Sequence, residues 1–257
     1  VELTPQIVLP ARPFRMRQHL ERFDRSLAEL RIRNPLPLAG WVEVTNTLVA
    51  AANATELLVY LQVTRGAAKR DHVFPGDNVS PSLVITAKSI NRDAGEARAE
   101  KGISVITVPE NRWDRVDIKT VGLLPNVLAR EAAKRQGAQE AVFVDEAGHI
   151  KEGAATNVWI VTKDGTLVTR PAEHGILRGV TRTTVMDLAE KLGLTVEERS
   201  FSVEEARFAR EMFITAATTL VMPVVAVDGQ TIGNGHPGLI APQLRNAFFA
   251  VAEKTPA

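Results

Sequence analysis

The chain contains no cysteine, which excludes disulfides, thiolate nucleophiles and metal centres built on sulfur. It has almost no net charge, since 31 Lys and Arg against 30 Asp and Glu leave +1. No global field is therefore available to hold nucleic acid or an anionic membrane surface. No stretch approaches eighteen uninterrupted apolar residues, and the first residues lack a basic region followed by an apolar signal core. Nothing marks the chain for membrane insertion or export, and a cytoplasmic location is the resulting expectation. Internal repeats and low-complexity tracts are also missing, and Tyr60 is the sole tyrosine.

What remains is ordinary globular material: 257 residues, 45% hydrophobic, enough for two modest cores. Two domains are expected, a smaller α/β one over 1–90 and a larger one over 98–257. The polar segment 91–97 (Asn91-Arg-Asp-Ala-Gly-Glu-Ala97) would link them. The sequence starts at Val1 and runs at once into apolar Ile7-Val-Leu9, as a strand already under way, so its natural beginning is expected to lie upstream. Leu20, Phe23, Leu27 and Leu30 share one helical face, with Arg22 flanking it. Pro35 and Pro37 end that unit, and a second helix is predicted over Val42–Ala54. Strands are predicted over Glu56–Gly66 and Ser82–Ala87, with a polar loop from Ala67 to Ser80 between them. Beyond 97, strands or hairpins are predicted at Gly102–Val108, Glu140–Glu152, Val158–Thr169, Leu194–Glu198, Glu211–Thr215 and Val224–Val227. Helices are predicted over Thr181–Leu192 and Ala241–Lys254. The pattern is α+β, with a mixed or antiparallel sheet in the larger domain.

Four places could carry chemistry. Lys119 is a lone amine among Val116, Ile118, Val121, Leu123 and Leu124, which read as buried, ahead of a helix opened by Pro125-Asn126. Burial pushes a lysine towards the neutral, nucleophilic amine that can form a Schiff base; alternatively, its long stem lets the ammonium reach solvent. In Glu152-Gly-Ala-Ala-Thr-Asn157 a carboxylate stands beside very small residues, which admit a flat ligand to the backbone. Such a carboxylate could hold a protonated ring nitrogen, or be a solvated loop glutamate. In His174-Gly-Ile-Leu177-Arg-Gly179-Val180-Thr181-Arg182 the start of a helix offers free N–H groups suited to phosphate, or is simply a cap. Tyr60 with Arg70 and His72 supplies a phenol, a guanidinium and an imidazole that could hold a carboxylate, or they are polar loop residues.

Asp117-Ile-Lys119-Thr-Val-Gly-Leu-Leu-Pro-Asn-Val-Leu-Ala129, Lys151-Glu152-Gly-Ala-Ala-Thr-Asn-Val-Trp159 and Gly175-Ile-Leu-Arg-Gly-Val-Thr-Arg182 together resemble the fold-type IV pyridoxal-phosphate enzymes. That family comprises branched-chain and D-amino-acid aminotransferases, R-selective amine transaminases and aminodeoxychorismate lyases. The order and spacing match from about Arg15 to about Phe249. The resemblance implies a two-domain fold of that type, pyridoxal 5'-phosphate as cofactor, and an amino donor and a 2-oxo acid as substrates. By the same resemblance Lys119 carries the Schiff base and moves the α-proton, and Glu152 holds the pyridine nitrogen. Arg22, in His19-Leu-Glu-Arg22-Phe23, together with Val180 and Thr181, receives the phosphate, and Leu177 lies against the ring.

Arg70-Asp-His72, following Gln62-Val-Thr-Arg-Gly66, is similar to the carboxylate trap of the D-amino-acid aminotransferases, which also carry a tyrosine where Tyr60 stands. A transaminase acting on D-amino acids is therefore expected, with another reaction of the family or a non-catalytic cofactor-binding member as the alternatives. The resemblance further implies a homodimer in which the Arg70–His72 loop reaches the neighbouring active site. Two departures stand out. Leu3 and Thr4 occupy the place of an aromatic residue followed by Glu. Ala217 stands where a threonine hydroxyl usually meets the phosphate, a loss that the N–H groups of Ala216 and Ala217 or the hydroxyl of Thr218 would offset.

Overall fold

The computed structural model describes residues 6–9, 12–52, 54, 56–173 and 175–254; Leu3, Thr4 and His174 lie outside them. The chain divides into two compact units. One runs as far as Ile90 and also takes residues 118–121; the other comprises Asn91–Asp117 and Gly122–Ala252.

In the first unit, strands β1 (Gln6–Leu9), β2 (Arg12–Pro13), β3 (Leu57–Thr64) and β4 (Ser82–Ser89) form an antiparallel sheet in the order β2-β1-β3-β4. Helices α1 (Met16–Glu29) and α2 (Leu38–Ala51) pack with it. Strand alternation sends Leu57, Val59, Leu61 and Val63 into the core and leaves Tyr60 and Gln62 on the other face. Leu20, Phe23 and Leu27 of α1 meet those side chains, and Phe23 sets its ring edge-on to Trp41, with centroids 5.2 Å apart. Each such burial contributes roughly 2–3 kcal/mol. Helix α2 begins four residues before the predicted Val42, because Pro37 fixes an extended turn immediately ahead of it.

The second unit is larger and α+β, as expected. Its elements are α3 (Arg92–Lys101), β5 (Ile103–Pro109), α4 (Leu124–Arg135), β6 (Glu140–Val144), β7 (Ile150–Gly153), β8 (Asn157–Val161), β9 (Leu167–Thr169), α5 (Val180–Lys191), β10 (Val196–Glu198), α6 (Val203–Phe208), β11 (Glu211–Ala216), β12 (Leu220–Val227), β13 (Gln230–Thr231) and α7 (Ile240–Lys254). The sheet runs β10-β9-β8-β11-β12-β5-β6-β7, with β13 on β12. It is mixed: β10/β9, β12/β5 and β5/β6 are parallel and the remaining pairs antiparallel. Strand β8 is buried throughout, and Trp159 stacks on Phe213 of β11 at 5.6 Å. None of the described helices is long and apolar enough to cross a membrane.

Two expectations need correction. Residues 91–97 are not a linker: Asn91 caps α3 by accepting from the Ala94 N–H, and the rest form its first turns. The segment is polar because α3 buries only Ala99 among its own residues. Nor is the run around Lys119 buried throughout. Asp117 and Ile118 are buried, but Val121, Leu123 and Leu124 are exposed. The predicted helix exists as α4, yet it packs through Ala129 and Ala133 and turns Val127 and Leu128 outward.

Glu211 shows how tightly the second unit is tied. Its buried carboxylate accepts from the N–H groups of Leu239, Ile240 and Ala241 at 2.9–3.2 Å, satisfying the start of α7 from a neighbouring strand. A Cβ on Gly238 would come within 2.0 Å of that carboxyl group. Glu211→Ala is expected to cost about 2 kcal/mol of unfolding free energy, measured by urea titration.

Candidate active site

Two groups of functional side chains are built, one in each unit. In the first, His19 and Arg22 lie one turn apart on α1, and the backbone N–H of Lys119 donates to the buried Ser26 hydroxyl of the same helix at 3.3 Å. Helix α1 thus carries Arg22 and fixes the backbone that bears Lys119. His19 is buried, and its Nδ1 has no hydrogen-bond partner among the described residues. Burial, and then the charges of Arg22 and Lys119, hold its pKa well below the usual 6.5. The imidazole is therefore a neutral neighbour of two cations.

Tyr60 stands on β3, its hydroxyl donating to Gln62 Oε1 at 2.6 Å. Arg70 and His72 lie on an exposed loop between β3 and β4. Arg65 ties the base of that loop down: its guanidinium donates to the carbonyls of Leu30 and Arg31 and covers the Phe74 ring at 3.6 Å.

In the second unit, β7 delivers Glu152 into a buried site. Its Oε2 accepts from Asn157 Nδ2 at 3.1 Å and from the Leu177 N–H at 3.0 Å, while Oε1 accepts from Arg112 Nη1 at 2.7 Å. Burial raises its pKa, and Arg112 followed by the Leu177 N–H opposes the rise. Arg112 is itself buried, over the Phe143 ring at 4.2 Å, with Nε and Nη2 on Glu110 at 2.9 and 2.6 Å. Lys151 Nζ stands 3.6 Å from the same Glu110. Four alternating charges thus run Glu152, Arg112, Glu110, Lys151. A carboxylate offers about four acceptor positions, and these contacts leave one on Glu152 Oε1 for a further donor.

Small residues make this packing possible. A Cβ on Gly179 would fall 2.1 Å from Asn157 Oδ1, and one on Gly153 would fall 2.0 Å from Thr156 Oγ1. Gly179 then opens α5, whose first residues Val180 and Thr181 are buried and whose first-turn N–H groups have no partner within the helix. Arg182, the next residue, anchors the turn by donating to the Arg170 carbonyl at 2.9 Å and pairing with Glu198. Helix α5 packs against β11, which ends in the turn containing Ala217, Thr218 and Thr219. Ala217 is buried and Thr218 exposed, whereas the buried Oγ1 of Thr219 has no hydrogen-bond partner among the described residues. Arg245 of α7, paired with Glu96, holds this turn through the carbonyls of Thr219 and Val221 at 2.7 and 2.8 Å.

The open acceptor on Glu152, the first-turn N–H groups of α5 and the Thr219 hydroxyl suit a flat, cationic-ringed, phosphorylated cofactor. Sequence reasoning missed Arg112, Glu110, Asn157 and Thr219. The one available signal was the Glu110-Asn-Arg112 pair directly after an apolar strand.

His19 also yields a pH dependence. The folded chain excludes a proton that the unfolded chain binds, so stability is complete above pH 6.5 and is lost as pH falls below it. His19→Asn should flatten that loss, which is at most about 1.4 kcal/mol per pH unit, in urea titrations between about pH 5 and 7.

The model of the family described as amino-transferase class IV matches residues 7–227. The D-alanine aminotransferase of Staphylococcus haemolyticus is 35% identical over 235 residues, covering 91% of this chain and 82% of the relative. That of Bacillus licheniformis is 36% identical over 235 residues, covering 91% and 81%. Among solved structures, the branched-chain amino acid aminotransferase from Escherichia coli is similar with a TM-score of 0.87 at 26% identity, covering 100% of this chain and 86% of that one. The T.th. branched-chain amino acid aminotransferase with pyridoxamine 5'-phosphate gives 0.89 at 27% identity over the same shares. The chain belongs to the class IV aminotransferases.

Proposed function

We propose that this aminotransferase moves the amino group between D-amino acids and 2-oxo acids. The observation that carries the reading is the Arg70-Asp-His72 pair on the loop after β3, in a chain whose curated relatives are D-alanine aminotransferases. A guanidinium and an imidazole two residues apart can grip a substrate carboxylate by charge-assisted hydrogen bonds, and Tyr60 would join them by exchanging its hydrogen bond to Gln62 for one to the substrate.

The cofactor is pyridoxal 5'-phosphate, which when bound supplies an electron sink for the electrons left at the substrate α-carbon. Each side chain then has a specific task. Lys119 provides the amine that tethers the cofactor and, once released, takes and returns the α-proton. Glu152 keeps the ring nitrogen protonated through its remaining acceptor position. Arg22, with the N–H groups of Val180 and Thr181, binds the phosphate. Leu177 covers one face of the ring, and its N–H fixes Glu152. Around the β11–β12 turn, the N–H groups of Ala216 and Ala217 complete the phosphate cradle. Of the two hydroxyls that follow, Thr219 Oγ1 is the better donor to the phosphate, being buried while Thr218 is exposed.

The homodimer belongs to the same reading. Leu124, Val127 and Leu128 form one face of α4 and are 69%, 58% and 58% exposed in the single chain, an apolar strip of the kind that marks a protein interface. Val73 and Phe74, beside Arg70 and His72, are exposed as well, consistent with a loop that reaches a neighbouring subunit.

Two outcomes test these proposals. With 2-oxoglutarate as acceptor, D-alanine should be a donor and Arg70→Ala should lower its kcat/KM roughly 30- to 100-fold. Branched-chain aminotransferases are structural neighbours, so turnover of L-leucine but not D-alanine would select that reaction, and turnover of R-phenylethylamine alone would select amine transamination. Val127→Glu combined with Leu128→Glu should convert the dimer to monomer in sedimentation equilibrium; an unchanged mass removes α4 from the interface.

A further inference from the structure

Glu152 and Glu110 compete for one guanidinium. Arg112 could grip Glu152 with both prongs, the usual arrangement of an arginine facing a carboxylate. It does not do so: only Nη1 reaches Glu152, while Nε and Nη2 lie on Glu110, which also accepts from the Arg112 backbone N–H at 3.0 Å. Glu110 is held in turn by Lys151 Nζ at 3.6 Å. The consequence lies at Glu152 Oε1. With Oε2 already accepting from Asn157 and Leu177, a second prong from Arg112 would have to converge on Oε1 beside Nη1 and so fill its remaining acceptor position.

We propose that Glu110 is a positioning residue that holds Arg112 to a single contact with Glu152 and so keeps an acceptor open for the cofactor's ring nitrogen. This rests on the assignment of Glu152 to that nitrogen. Glu110 follows β5 and Glu152 lies on β7, with β6 hydrogen-bonded between those strands. Charge balance along the four-residue chain therefore depends on the register of three strands rather than on one flexible loop. Lys151, beside Glu152 in sequence, closes the chain by neutralising Glu110, and removing its amine should weaken the restraint without touching the site.

The test measures cofactor affinity, independently of turnover. Apoprotein of the wild type and of Glu110→Gln, Glu110→Asp and Glu152→Gln is titrated with pyridoxal 5'-phosphate and with its carbocyclic analogue, in which C–H replaces the ring nitrogen. Glu110→Gln is expected to weaken the natural cofactor about tenfold and to leave the analogue unchanged, because only the natural ring needs the open acceptor. Glu110→Asp should restore most of the affinity. Equal weakening of both ligands would show that Glu110 merely supports the fold, and no weakening of either would show that Arg112 does not need restraining; each result overturns the proposal. If Glu152→Gln also fails to discriminate between the two ligands, the assignment of Glu152 to the ring nitrogen falls, and Glu110 falls with it. Selective weakening of the natural cofactor in Glu152→Gln, with Glu110→Gln behaving as wild type, overturns only the role of Glu110.

Discussion

A carboxylate withdrawn from water must be answered by charge and hydrogen bonds if it is to stay ionised. Around Glu152 the answer comes from Arg112, Asn157 and the Leu177 N–H. Those three groups arrive from separate places: the segment after β5, the first residue of β8, and the approach to α5. The turn from β7 to β8 can be tight because Gly153 has no side chain to meet Thr156, and α5 can start beside Asn157 because Gly179 has no side chain to obstruct it. The architecture of the second unit thus converges on one buried negative charge.

In the first unit, a single helix does two things. Helix α1 buries Leu20, Phe23 and Leu27 against β3, and its neighbouring positions carry His19, Arg22 and the Ser26 hydroxyl that receives the Lys119 N–H. Packing of the apolar face therefore sets the place of the polar one. A neutral His19 beside Arg22 and Lys119 adds no third positive charge where two already stand.

Much of this was legible in the sequence. Helical spacing in α1, alternation in β3 and the small residues after Glu152 each translate directly into the observed elements, because local periodicity and turn chemistry determine them. The Lys119 segment is harder to read. An apolar run does not distinguish burial in the same chain from an exposed apolar face, and Leu123, Leu124, Val127 and Leu128 take the second course. The polar helix α3 reads as a linker for the converse reason, since a helix lying on the surface needs few large apolar groups. Arg112 and Glu110 cannot be assigned from spacing: Glu152, the partner of Arg112, stands 40 residues away on β7 and is brought near only by the sheet. The hydroxyl of Thr219, two positions beyond Ala217, becomes notable only once its burial is known.

In the proposed function Lys119 is the amine that holds the cofactor. Reduction of the cofactor-loaded protein with borohydride, followed by peptide mass mapping, tests it directly. The phosphopyridoxyl group is expected on Lys119 alone. Finding it instead on Lys151, the half-buried amine next to Glu152, with Lys119 unmodified, would rule out that role for Lys119.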